Sequence, residues 1–125
     1  MIECEFIGSN RLVEKFDGKI RADDLIFLKE EEFMHKNYHK GINFLMDLRE
    51  AEIIGSEISW LQKINDFLSV KGFNLKNSNI AILVNLLQFD IFNRWLKEVK
   101  IAENQLRIKI FLKDTEAEHW LREFE

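Results

Sequence analysis

The chain has 125 residues with 46% hydrophobic content, including 11 Phe and 3 Trp; that suits one folded domain, 1–125, and argues against a disordered chain. A formal net charge of −4, with both signs mixed and no basic stripe, argues against nucleic acid as a partner. A single cysteine, Cys4, allows no internal disulfide, "MIECEF" is no leader sequence, and no apolar run is long enough to span a bilayer, so a reducing, cytoplasmic setting is expected.

Taken in chain order, "IECEFI" alternates, with Ile2, Cys4 and Phe6 on one face and Glu3 and Glu5 on the other, which is strand periodicity. "GSN" is turn chemistry, and "RLVEKFDG" returns as a second strand of poor alternation, giving a β-hairpin at a sheet edge. "ADDLIFLKEEEFMHKNYHKG" reads as one helix, acidic at its start, with Lys36, His39 and Lys40 near its end before Gly41. Ile42 to Asp47 is a mostly apolar strand. Ser56 caps a second helix, on which Trp60, Leu61, Ile64, Phe67 and Leu68 share a face and which Gly72 stops. "IAILV", Ile80 to Val84, is apolar throughout, as a strand buried on both faces must be. A third helix from about Leu87 to Val99 buries Ile91, Phe92, Trp95 and Val99. "LRIKIFL" then alternates, with Leu106, Ile108, Ile110 and Leu112 inward. Thr115 and Glu118 form a capping box for a last helix, with Ala117, Trp120, Leu121 and Phe124 on one side. The expected architecture is α/β, β-β-α-β-α-β-α-β-α: a single-layer mixed, mainly parallel five-stranded sheet with four helices and an antiparallel hairpin at its edge.

That order, the opening hairpin, the helix entered through "IRADDL", "FLMDLREAEI", "IAILV" and the closing "RIKIFLKDTEAEHWL" together resemble the STAS-type domain of anti-anti-sigma factors. The chain looks closest to the divergent SpoIIAA-like branch of small, mostly uncharacterised bacterial proteins. The resemblance implies a regulatory or protein-interaction module. In STAS switch proteins, a partner kinase phosphorylates a serine of Asp-Ser-Ser-Gly at the helix after the Asp-Leu strand. Lining up the acid puts Ser56 on the first serine and Glu57 on the second, usually the modified one, so the switch position carries a fixed carboxylate. The SpoIIAA-like branch also resembles the lipid-binding CRAL-TRIO fold, which implies an apolar ligand or peripheral membrane contact.

Parallel sheets place their sites beyond the carboxyl ends of strands. Asp47, Arg49, Ser56 and Asn85 are therefore candidates for a polar pocket, with Glu57 beside them. The alternative is that Asp47 accepts backbone bonds from its loop and Ser56 only caps. His35 and His39, four apart on the expected helix, suit a metal by spacing but lack a third ligand nearby, and cations at a helix C-terminus explain them as well. Asp23-Asp24 and Glu30-Glu31-Glu32 read as solvated charge. No nucleophile elbow, phosphate loop or dinucleotide fingerprint is present, so neither catalytic residues nor a cofactor are expected, and the function is expected to be non-enzymatic.

On the first helix, Ala22, Leu25, Ile26 and Phe33 define the core face. Phe27 and Met34 project from another side, at about 140° and 120° from Ala22 for a helix advancing about 100° per residue. They form the candidate interaction surface, for a protein partner or a homodimer. The other expectation is a carrier of a small apolar or lipid-like ligand. An enclosed apolar cavity beside this helix favours the carrier; an exposed patch at Phe27 favours the partner.

Overall fold

The computed structural model describes residues 1–99 and 105–125. Its strands are β1 Ile2–Ile7, β2 Arg11–Ile20, β3 Asn43–Ile53, β4 Asn79–Leu83 and β5 Arg107–Phe111. The helices are α1 Ala22–Phe33, α2 Glu57–Lys71, α3 Leu86–Glu98 and α4 Asp114–Arg122. The sheet order is β1-β2-β3-β4-β5; β1 is antiparallel to β2 and the other neighbours are parallel. The architecture expected from periodicity is the one observed.

This sequential order decides where the helices go. Parallel crossovers share one hand, so connections that always step in the same direction fall on the same face. Accordingly α1, α2 and α3 cover one face, while α4, which follows the last strand, packs on β3, β4 and β5 from the other. The larger core joins Leu12, Phe16, Phe44, Met46 and Ile80 to Trp60, Leu68, Phe92 and Trp95. The smaller one joins Leu45, Ala81, Leu83 and Phe111 to Ala117 and Leu121. β4 is thus buried on both sides, and each large apolar side chain so buried contributes about 1.5–3 kcal/mol.

Several expected boundaries move. α1 ends at Phe33 rather than near Gly41, because side chains there bond the backbone in place of helix continuation. His35 Nδ1 accepts from the Asn37 N–H at 3.0 Å, and the Tyr38 hydroxyl turns inward to donate to the Asn74 carbonyl at 2.6 Å. β3 runs past Asp47 to Ile53. A bulge sets Leu48 and Arg49 opposite Phe16, after which β3 pairs with β2 alone. Thr115 and Glu118 do not form a capping box: α4 begins at Asp114 without a side-chain cap, and Glu118 is drawn instead to Arg11 on β2. Ile91 and Leu112, expected inward, are exposed, because Phe92 and Phe111 take the packed positions beside them.

Candidate functional site

An apolar cavity of about 120 Å³ lies between the three helices and the sheet. Leu25 and Ile26 of α1, Trp60, Ile64 and Leu68 of α2, Phe92 and Trp95 of α3, and Ile80, Ile82 and Ile110 from the strands line it. Rigid aromatic rings build one wall. Trp60 stacks on Trp95 with centroids 5.4 Å apart, and Phe92 tilts against Trp95 at 5.0 Å. The Trp60 indole is anchored by its N–H donating to the Ile54 carbonyl at 2.7 Å. Gly55 makes that anchor possible: its φ is +110°, and an added Cβ would stand 3.4 Å from the Trp60 nitrogen. The indole nitrogen of Trp95 is buried with no hydrogen-bond partner among the described residues. An enclosed apolar cavity of about 150 Å³ stays dry and takes up benzene or xenon; this one is similar in size and lining but partly open.

Lys29 also lines the cavity, and it heads a group of buried charges. Its ammonium donates to Glu14 Oε2 and lies 3.3 Å from Glu32 Oε1, over the Phe44 ring. All three residues are buried. The Cys4 thiol, across from Glu14 on β1, donates to Glu32 Oε2 at 3.4 Å. Burial pushes the Glu14 carboxyl well above the usual range, and the Glu32 carboxyl raises it further while Lys29 opposes. Desolvation works against the Lys29 charge, yet Glu14 and Glu32 outweigh it and hold the ammonium above its ordinary value. Burial and the same carboxyls push Cys4 up to about 12 and raise Tyr38.

This cluster corrects the reading of Glu30-Glu31-Glu32 as solvated charge: Glu32 is only 3% exposed. The signal was present. On a helix of about 100° per residue, Lys29 sits about 20° from Ala22, at the centre of the core face. Glu14 likewise alternates with Leu12 and Phe16.

The expected polar edge is only partly assembled. Asp47 and Arg49 meet: Asp47 Oδ1 accepts from the Arg49 backbone N–H at 3.1 Å, and the guanidinium bonds both carboxylate oxygens at 3.0 and 2.9 Å. Burial would raise Asp47, but these Arg49 bonds hold it below the usual range. The pair lies mid-strand at the bulge, not beyond a strand end, and lines an open groove with Lys15, Asp114 and Arg122 on the α4 side. Asn85 caps α3 and donates to the Arg49 carbonyl at 3.0 Å, while Gln88 donates to the carbonyls of Leu48 and Ala51 at 3.0 and 2.9 Å. These side chains take over where β4 has stopped pairing with β3. Ser56 caps α2 by accepting from the Ser59 N–H at 3.1 Å, and Glu57 pairs with Arg94 of α3. Neither lines the Asp47 groove.

His35 stacks on Phe6, and His39 bonds the Ser9 carbonyl at 2.6 Å, so helical spacing does not apply to them. No group of three metal-ligating side chains occurs among the described residues, and no described helix is long and apolar enough to cross a membrane. Phe27 is 65% exposed and Met34 87%.

A solved structure from Shewanella loihica PV-4, an uncharacterized protein of the DUF3478 family with a SpoIIAA-like fold, superposes with a TM-score of 0.57 at 19% identity. The match covers 97% of this chain and 92% of that one. The fold is SpoIIAA-like. No family model matches the chain, and no curated protein does. The CRAL-TRIO likeness finds no support in these comparisons. Within the SpoIIAA-like sheet, the cavity and the Glu14–Lys29–Glu32 cluster occupy the face covered by α1, α2 and α3.

Proposed function

We propose that this chain is a non-enzymatic, cytoplasmic STAS-like binding module whose ligand is a small apolar molecule held between the helices and the sheet. The observation that carries the reading is the carbon-lined cavity beside α1. Its size suits a ring of benzene dimensions better than a long acyl chain. Lys29, the one reactive side chain on its wall among the described residues, is held as a cation by Glu14 and Glu32 and is therefore a poor nucleophile. Thermal unfolding with increasing benzene tests this. Binding to the folded state alone raises stability by about 2.7 kcal/mol at one hundred times Kd. Ile82→Phe, which fills the cavity, is expected to stay folded and lose that response. An unchanged melting temperature in wild-type protein at saturating benzene overturns the proposal.

A second reading, regulation through a protein partner or homodimer, is favoured by the exposed Phe27 and Met34. It needs no phospho-switch, since Ser56 is engaged as a cap and Glu57 as an ion pair. Intact-mass analysis of protein from growing cells is expected to find no phosphate at Ser56.

A further inference from the structure

We propose that Glu14 and Glu32 share a single proton, and that this proton latches α1 to the sheet as one wall of the cavity. Glu14 projects from β2 and Glu32 from α1, and both are buried. Glu14 Oε1 and Glu32 Oε1 have no hydrogen-bond partner. Glu32 Oε1 lies close to Lys29 but outside hydrogen-bond geometry. Buried acceptors are rarely left so, because each orphan loses its water without replacement. One proton between the two carboxyls makes one orphan a donor and the other its acceptor.

The charge count agrees. With both carboxylates ionised, Lys29 leaves a net charge of minus one in an apolar interior, and such a charge is driven to neutralise. One proton brings the cluster to zero. Among the described residues, no neighbouring group does this instead. Cys4 of β1 and Tyr38 of the loop after α1 are both raised and stay protonated and neutral. β3 contributes Phe44 and Met46 beside the cluster, which carry no charge. From α2, Lys63 and Lys71 reach α1 but are paired with Asp23 and Glu30. His35, stacked on Phe6 of β1, is exposed and accepts from the Asn37 N–H.

Above the titration, solvent base removes the proton as water and two anionic carboxylates face one ammonium across the α1–sheet contact. The opening equilibrium of α1 then rises about tenfold per pH unit. Because Leu25, Ile26 and Lys29 of α1 line the cavity, loosening this helix releases the ligand; that last step rests on the function proposed above.

Carbon-13 NMR of the side-chain carboxyls in the whole protein tests the latch. The Glu14 resonance is expected to titrate well above the ordinary carboxylate range. If Glu14 titrates within that range, there is no shared proton and the proposal falls. Hydrogen exchange gives the second arm. In Glu14→Gln, whose amide can donate at every pH, α1 amides are expected to gain only the intrinsic acceleration with pH, while wild type gains about tenfold more per unit. Equal pH dependence in the two proteins overturns the latch; if the variant does not fold, the wild-type titration decides. Benzene binding across the same pH range separates the two proposals. Failure to bind at any pH removes the apolar-ligand function alone, whereas binding that weakens as Glu14 titrates supports both.

Discussion

On one face of the sheet, α1 closes over Glu14 and brings Lys29 and Glu32 against it, and all three side chains are buried. On the other, α4 alone packs on the strands among the described residues, and Arg11 meets Glu118 and Glu125 at the rim, where the side chains keep partial contact with solvent. Both arrangements tie a helix or terminal turn to β2 through an acid–base cluster. They differ in solvent, and solvent sets both the size and the pH sign of what each contributes.

The largest expected effect is from Lys29→Met. It strands two carboxyl groups in the core, and urea unfolding should show a loss of about 3–5 kcal/mol at neutral pH. A loss no larger than that of Arg11→Met erases the distinction between the faces. Arg11→Met breaks hydrogen bonds to charged partners that water can partly replace, so its loss should be about 1.5–3 kcal/mol, measured the same way.

The pH dependence sharpens the comparison. The Glu14 carboxyl is raised on folding, so its stabilising contribution is complete below the unfolded-chain value near 4.5 and is lost as pH rises through the folded value. Within that window the slope approaches about 1.4 kcal/mol per pH unit. Asp47, on the α4 face, is lowered on folding. Its contribution is present above its unfolded value of 3.8 and is lost as pH falls through the folded one. Stability curves of Glu14→Gln and Asp47→Asn should therefore depart from wild type at opposite ends of the pH scale. Departure at the same end removes the contrast.

Asp47→Ala should lower stability by about 1–3 kcal/mol, through the stranded Arg49 N–H at the bulge, with Asp47→Asn milder because its amide oxygen still accepts. The smallest effect is expected from Phe27→Asp with Met34→Lys, within about 0.5 kcal/mol of wild type, because both side chains stand in solvent. Circular dichroism should show a folded chain, while sedimentation reports any lost self-association. Unfolding places the pair in the core and removes the surface altogether.

The faces also differ in how far the sequence reveals them. The order of elements, the antiparallel edge hairpin and the doubly buried β4 follow from periodicity; the order of the strands in the sheet, and with it the single-sided placement of three helices, is set by long-range pairing that periodicity does not record. Glu14, Lys29 and Glu32 stand at core positions by the same periodicity, but charge type suggests solvent until all three are seen to converge. Ser56 as a cap is readable locally. The extension of β3 past Asp47 is not, because it depends on a bulge opposite Phe16 and on amides supplied from Asn85 and Gln88, more than thirty residues away. The end of α1 is equally hidden, since it turns on Tyr38 finding the Asn74 carbonyl. The cavity is a property of packing, and no residue pattern records it.

Gln88 has a mechanical consequence. Its single amide bridges two carbonyls of β3, standing in for the strand that β4 does not provide, and so welds the first turn of α3 to the sheet. The Phe92 and Trp95 wall must then travel with β3 as one stiff unit. Breathing of the cavity is left to α1 and α2, whose outer ties are the exposed pairs Lys63–Asp23 and Lys71–Glu30. A guest molecule would enter on that softer side, past a hinge held by surface charge and one buried proton, while the opposite wall stays still.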